Sequence, residues 1–431
     1  MRSADTVTAL VACLLTFSSA SLASSRTAPE WVMQIAPGTW AEVSLNTLRD
    51  LDPAKDPEVN PNFPRSPPWL GNQYAIIESW NGATFATGYG KYGTYLIIGG
   101  GHADYYGNEV YGFDLETRRW QRLTNPYASP AYPIQDGIWP DNTPSVPHTY
   151  DQISYHPPTN SLVMMKTQNH NLGGYNSPIV AMFSLDGLRT PDSNVNRNFN
   201  RGNWRFSPLN TLNFTNSGGW SAYDTKRDLF WANGGAGTET MTAFDPKPAR
   251  DGGRFGTFLN YPRRTAQMHA AAAYDPANDI VVFTVFRTTP DVLAIDLTRP
   301  ETGAAGDVKL VQTGSVPTLA ESHGWEWSPG RRAFIYYNRG SGVFEFKQQG
   351  SKWRTDSWKW TGLTAANNIT VPAGRNTAGS NGVFSRFQIV TFDDAEIALL
   401  VDAINGPVYA FRMPEVDARR VPAPPRSLAA F

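Results

Sequence analysis

Short apolar runs return along the chain, each set off by the same kind of turn. Leu162-Val163-Met164-Met165 follows Tyr155-His156-Pro157, Leu229-Phe230-Trp231-Ala232 follows Ala222-Tyr223-Asp224, and Ile280-Val281-Val282-Phe283 follows Ala273-Tyr274-Asp275-Pro276. Ala333-Phe334-Ile335-Tyr336 after Trp327-Ser328-Pro329 repeats the arrangement, as does Ile397-Ala398-Leu399-Leu400 after Phe392-Asp393-Asp394. Runs this short, unbroken by polar residues and bounded by turn formers, read as strands buried on both faces. The unit is a strand, a turn, a strictly apolar strand, a polar loop and a third strand. Such self-similarity marks stacked sheets, none of which can bury its apolar faces alone.

The plainest unit holds Tyr95-Leu96-Ile97-Ile98-Gly99-Gly100-Gly101, then Val110-Tyr111-Gly112-Phe113-Asp114, then Arg119-Trp120-Gln121-Arg122-Leu123. A diglycine closing one strand, an aromatic in the next and a Trp shortly after resemble the kelch pattern. From about Trp31 to Met413 the chain is similar to the kelch and galactose-oxidase-like propellers, which implies an all-β fold: a single β-propeller of four-stranded blades. Units begin near Thr84, Thr149, Trp220, Ala270, Gly324 and Phe387, which predicts six blades, with room for a seventh in the long segments. The last unit ends at Tyr409-Ala410-Phe411 with no strand after it. Gly38 to Leu45 matches Arg119 to Leu123, so an N-terminal strand is expected to complete the last blade and close the ring.

Composition adds to this picture. Of 431 residues, 41% are hydrophobic and only 17% charged, with 37 Gly and 33 Pro, which suits many short strands and tight turns and leaves little helix. Residues 1–23 read as a cleaved signal peptide: Arg2, the apolar run Val7 to Phe17, and small residues ending at Ala23. That run is shorter than the roughly 20 apolar residues a membrane span needs, so a secreted or periplasmic protein without a membrane span is expected. Leu10-Val11-Ala12-Cys13 offers a lipoprotein processing site as the alternative. The propeller then covers 24–413 and a Pro/Ala-rich tail 414–431, with a monomer favoured. Cys13 is the single cysteine, so cohesion rests on packing, and the net charge of -1 lacks the basic footprint of a nucleic-acid binder.

In a blade, the segment leading into the innermost strand and the loop between the second and third strands open on one end of the ring. His148, His269 and His323 map to lead-in segments, and His102 and His170 to second-to-third loops. His156 alone falls at the opposite end. Arg386 takes the lead-in position of the last unit, and Arg287 and Arg339 the loop position of the fourth and fifth. Any one such residue is accounted for by packing. Together they suggest a cationic face that an anion or a metal would join, and no comparable gathering of carboxylates maps there.

The richest stretch there runs from Gly99 to Glu109 and includes His102, Asp104, Tyr105, Tyr106 and Asn108. Its His and two Tyr can exchange protons, while a tight turn capped by its own Asp and Asn accounts for the same residues. Pro-rich inserts 46–71 and 125–147 flank it and carry Trp69, Tyr127, Tyr132 and Trp139, as sugar-stacking walls or as covers. A galactose-oxidase copper-radical site needs a cysteine joined to a tyrosine, which the mature chain lacks, and the Asp-box turns of sialidases are missing.

The layout resembles propeller polysaccharide lyases of the ulvan lyase type. That implies β-elimination on an anionic, uronate-containing polysaccharide or oligosaccharide. Arg386 or His269 is cast as carboxylate neutraliser, His148 or His102 as base, and Tyr105 or Tyr106 as acid. His170, His269, His323, Arg287, Arg339, Trp139 and Asn108 are cast as substrate-binding. The alternatives are a non-catalytic glycan- or protein-binding propeller, and a metal-dependent hydrolase or structural zinc or calcium site on the same face.

Overall fold

A computed structural model describes residues 26–55, 72–100, 105, 107–126, 137–145, 148–165, 179–188, 201–208, 218–233, 240–248, 255–263, 269–285, 291–298, 307–319, 321–337, 342–365 and 382–415. Six antiparallel sheets follow one another along the chain, each innermost strand first. Blade one is Ala83–Ala86, Thr94–Ile97, Tyr111–Asp114 and Arg119–Arg122. Blade two is Ile153–His156, Ser161–Met164, Ala181–Ser184 and Trp204–Phe206, and blade three is Trp220–Asp224, Leu229–Asn233, Thr240–Pro248 and Phe255–Arg263. Blade four is Ala272–Asp275, Ile280–Val285, Asp291–Asp296 and Val308–Lys309. Blade five is Gly324–Ser328, Ala333–Tyr337, Val343–Gln348 and Ser357–Gly362; blade six is Gln388–Thr391, Glu396–Val401, Val408–Arg412 and the N-terminal Trp40–Glu42.

The innermost strands touch in cyclic order, and the sixth touches the first, so the sheets form a closed propeller of six blades. The last blade is completed as expected: Trp40, Ala41 and Glu42 pair antiparallel with Phe411, Ala410 and Tyr409. Both ends of the described chain are thereby tied into one sheet, removing the free edge that an open array would present. Blade five departs from four strands. Val311–Gly314 runs parallel to Ser357–Gly362 at its rim, directly after the outer strand of blade four, and so straps the two blades together.

The second strands explain the packing. Thr94–Ile97, Ser161–Met164 and Ala333–Tyr337 are buried at every position, because each sheet has a neighbour on both sides. Trp325, Trp358, Trp360, Phe334 and Phe346 fill the space between blades four and five, with Trp325 and Phe334 stacked at 5.1 Å. The diglycine of blade one has a steric reason: a Cβ on Gly99 would stand 2.3 Å from Asn81, and one on Gly100 would stand 2.2 Å from the Tyr105 carbonyl.

Two backbone features recur around the ring. Just ahead of the innermost strands, Trp80, Tyr150, Gly218, His269, Ser322 and Phe384 all have positive φ. Four amide hydrogen bonds link these residues from blade to blade: Tyr150 to Trp80, His269 to Gly218, Ser322 to His269 and Phe384 to Ser322. At the other end, an aromatic near the end of the innermost strand is followed five residues later by a left-handed residue. The pairs are Phe85 and Gly90, Tyr155 and Asn160, Tyr223 and Asp228, Tyr274 and Asp279, and Trp327 and Arg332. The first feature builds a mouth, the second a collar.

Candidate functional site

At the mouth, the left-handed turn aims the lead-in side chains of several blades at one another. His148 Nδ1 and the Tyr150 hydroxyl are hydrogen-bonded at 3.0 Å, and His148 lies 4.8 Å from the Trp80 ring. Tyr150 stacks on His269 at 5.6 Å, with ring planes 21° apart, and Phe384 meets both rings edge-on. Glu321 approaches His269 Nδ1 at 3.1 Å. A carboxylate on Nδ1 holds that nitrogen as the N–H and turns the Nε2 lone pair outward. His269 keeps 18% of its side chain in solvent, whereas His148 and Tyr150 lie buried beneath it. A non-glycine residue at positive φ often marks a functional site, but here the conformation is shared by all six blades, so it belongs to the ring rather than to the chemistry.

Several residues assigned to this face have other employment. Arg386 is 4% exposed. Its guanidinium donates to the carbonyls of Val401, Ile77, Asn81 and Gly382, and its own carbonyl accepts the Tyr95 hydroxyl. It fastens blade six to the segment ahead of blade one, which displaces the role of carboxylate neutraliser. His323 is fully buried between blades four and five, with Nε2 2.6 Å from Thr284 Oγ1 and its ring 5.0 Å from Tyr336. It packs at the seam of blades four and five.

Tyr105 is buried and donates to Glu109 Oε1, which Tyr111 also reaches at 2.8 Å. Burial and the Glu109 charge hold both phenols well above the ordinary tyrosine range, so Tyr105 is a core residue rather than an accessible acid. Asn108 donates to Thr143 Oγ1 and the Pro144 carbonyl, and Trp139 is buried with its amide on the Thr143 carbonyl. Both secure the 137–145 segment instead of lining a sugar site. His102, Asp104, Tyr106, His170, Arg287, Arg339, Trp69, Tyr127 and Tyr132 lie outside the described residues, as do 1–25 and 416–431. His156 does lie in the turn at the opposite end, where Nε2 meets Asp228 at 2.7 Å; burial lowers its pKa, opposed by Asp228.

Beneath the mouth lies a feature the sequence reading missed. A cavity of about 440 Å³ occupies the centre of the ring, lined by residues of all six innermost strands or their lead-ins. Asp151 and Glu326 both face it. Asp151 is 4% exposed and accepts the Ala272 amide on Oδ2 at 2.9 Å, while Gln388 donates to Glu326 Oε1 at 2.6 Å. Burial, with the Glu326 charge adding to it, pushes the Asp151 carboxyl well up, and burial pushes Glu326 up to about 8. The signal for Glu326 was present in the sequence. The residue before each collar aromatic is Thr84, Ser154, Ala222, Ala273 or Glu326, so one blade places a carboxylate where four others place a small side chain.

Among the described residues no group of three or more His, Cys, Asp or Glu is gathered to hold a metal ion, and no helix is long and apolar enough to cross a membrane. No protein-family model and no curated protein matches the chain, so the kelch and lyase resemblances rest on the sequence pattern alone. Among solved structures, the chain is similar to a gluconolactonase of Xanthomonas campestris, described as important in glucose secondary metabolic pathways. The two share 11% identity over 79% of this chain and 88% of that one, with a TM-score of 0.38.

Proposed function

We propose that this propeller is an exported polysaccharide lyase that cleaves uronate-containing glycans by β-elimination at the mouth, with His269 as the base. The observation that carries the proposal is the Glu321–His269–Tyr150–His148 series: a half-exposed carboxylate on Nδ1 of a solvent-reaching imidazole, backed by a phenol and a second imidazole. A carboxylate-oriented imidazole is the arrangement that serves proton abstraction near neutral pH. In the reaction, Nε2 of His269 takes the proton α to the uronate carboxylate and the bond to the neighbouring glycosidic oxygen breaks. The proton that the leaving oxygen needs is assigned to Tyr106, since Tyr105, Tyr150 and His148 are buried. The cation that balances the uronate carboxylate is drawn from His102, His170, Arg287 and Arg339, with Arg386 withdrawn from that role. Export rests on the leader at residues 1–23.

The product carries a double bond conjugated to the carboxylate and absorbs in the ultraviolet. With ulvan, alginate, pectin or a glycosaminoglycan as substrate, the protein is expected to raise that absorbance. His269→Ala is expected to lower the rate by about 10²–10⁴-fold, the range of a lost general base. No absorbance rise across the whole panel refutes the lyase reading. The burial of His148 and Tyr150 favours one alternative, a propeller that binds glycan at the same mouth without turnover. Calorimetric binding of an oligosaccharide that is never cleaved would select it.

A further inference from the structure

The central cavity differs in its titratable groups from the mouth above it. None of its lining residues is a Lys, Arg or His, yet it holds two carboxylates, Asp151 and Glu326. Each is only partly engaged. Asp151 has one oxygen on the Ala272 amide and Glu326 one on the Gln388 amide, and no other hydrogen bond from the described residues reaches either group. Asp151 is nine-tenths buried and aimed into the cavity. Burial favours the protonated form of both groups, and a cation received beside them would favour the charged one.

The walls say what that ligand is. Phe85, Tyr155, Tyr223, Tyr274 and Trp327 form a collar of rings at the end away from the mouth, and Thr84, Ser154, Ser221 and Ser385 also line the cavity. The Tyr155, Tyr223 and Tyr274 hydroxyls are held by Asn160, Asp228 and Asp279, which fixes those rings. Aromatic rings attract ammonium groups through their faces, and about 440 Å³ lies within the size range of small-molecule pockets. A bare divalent ion instead needs several oxygen ligands converging at about 2.0–2.6 Å, and the described residues gather no such group.

We propose that the central channel is a binding site for a small organic ammonium ion, received between the aromatic collar and the Asp151 and Glu326 carboxylates. The site is separate from the mouth, so this inference stands or falls independently of the lyase reading. The test is calorimetric titration of the full mature protein with choline and with spermidine. At least one is expected to bind, with affinity falling about tenfold or more in Glu326→Gln and in Asp151→Asn, a loss of about 1.4 kcal/mol or more.

Ser154→Phe fills the channel from blade two without replacing either carboxylate and is expected to abolish the signal. Should a variant fail to fold, the wild-type protein still answers: choline or spermidine raises its Tm, and sodium chloride at equal ionic strength does not. No heat and no Tm shift with either probe overturns the proposal. So does binding that all three variants leave unchanged, and so does calcium binding, sensitive to the same variants, in place of ammonium binding.

Discussion

The mouth and the channel are built from the same short segments and carry different chemistry. Tyr150 belongs to the mouth and Asp151, the next residue, to the channel; Glu321 serves the mouth and Glu326 the channel; Phe384 stacks above while Ser385 and Gln388 line the cavity below. The left-handed residue ahead of each innermost strand accounts for the division. It turns one side chain across the top of the ring, after which the strand carries its residues down the bore. A propeller can therefore hold an imidazole-lined and a carboxyl-lined region a few residues apart along the chain, because the backbone reversal lies between them.

The largest effect that would break this comparison comes from Arg386, since its guanidinium fixes the lead-in of blade six to that of blade one. Arg386→Met removes a buried cation and leaves the carbonyls of Ile77, Asn81, Gly382 and Val401 to find other donors. The expected cost is about 3–5 kcal/mol, as for breaking a buried charged network from one side, read as a lower midpoint in denaturant unfolding. A loss below about 1 kcal/mol would mean that the mouth does not depend on this fastening.

Much of this architecture was legible in the sequence, because continuous apolar runs and their turns repeat with the period of a blade. Six innermost strands fall at or within a few residues of the predicted starts, and the N-terminal strand closes the ring on Phe411 as its match to Arg119–Leu123 suggested. The site was legible only to the level of which end a residue faces. His148 and His269 meet around Tyr150, but His323 on the same lead-in register is turned into the packing of blades four and five. Register gives the end of the ring; it does not give burial, which depends on neighbours from another blade. Asp151 shows the same limit, since the amide it accepts belongs to Ala272, two blades away.

A second effect sharpens the contrast from the channel side. The Glu326 carboxyl has an ordinary value of 4.5 and a folded value of about 8, so over that interval the native protein keeps a proton that the unfolded chain has released. Stability linked to this group is complete below the unfolded value and falls as pH rises toward the folded one. Integrated over the interval, the loss amounts to roughly 4 kcal/mol at most. Glu326→Gln keeps the oxygen that Gln388 approaches and has nothing to ionise. Its Tm is expected to match the wild-type near the lower limit of that range and to exceed it increasingly as pH rises. A difference that stays constant with pH would show that Glu326 ionises as freely in the ring as in solvent.

The smallest effects lie in the collar, where hydroxyls hold the rings that line the bore. The Tyr155 hydroxyl donates to Asn160 Oδ1 at 2.9 Å and accepts the Gly88 amide at 3.1 Å, so Tyr155→Phe leaves a backbone N–H without its partner. Asp228, which accepts the Tyr223 hydroxyl at 2.8 Å, is also met by His156 and Lys247. Tyr223→Phe therefore removes one of several donors to a carboxylate that keeps the rest. By the asymmetry between losing a bond and stranding a group, Tyr155→Phe is expected to cost about 1–3 kcal/mol and Tyr223→Phe about 1 kcal/mol or less, read from paired denaturant curves. Equal costs would mean that the ring contacts, rather than the hydroxyl bonds, hold the collar in place, and the fixed aromatic wall of the channel would then owe nothing to its left-handed turns.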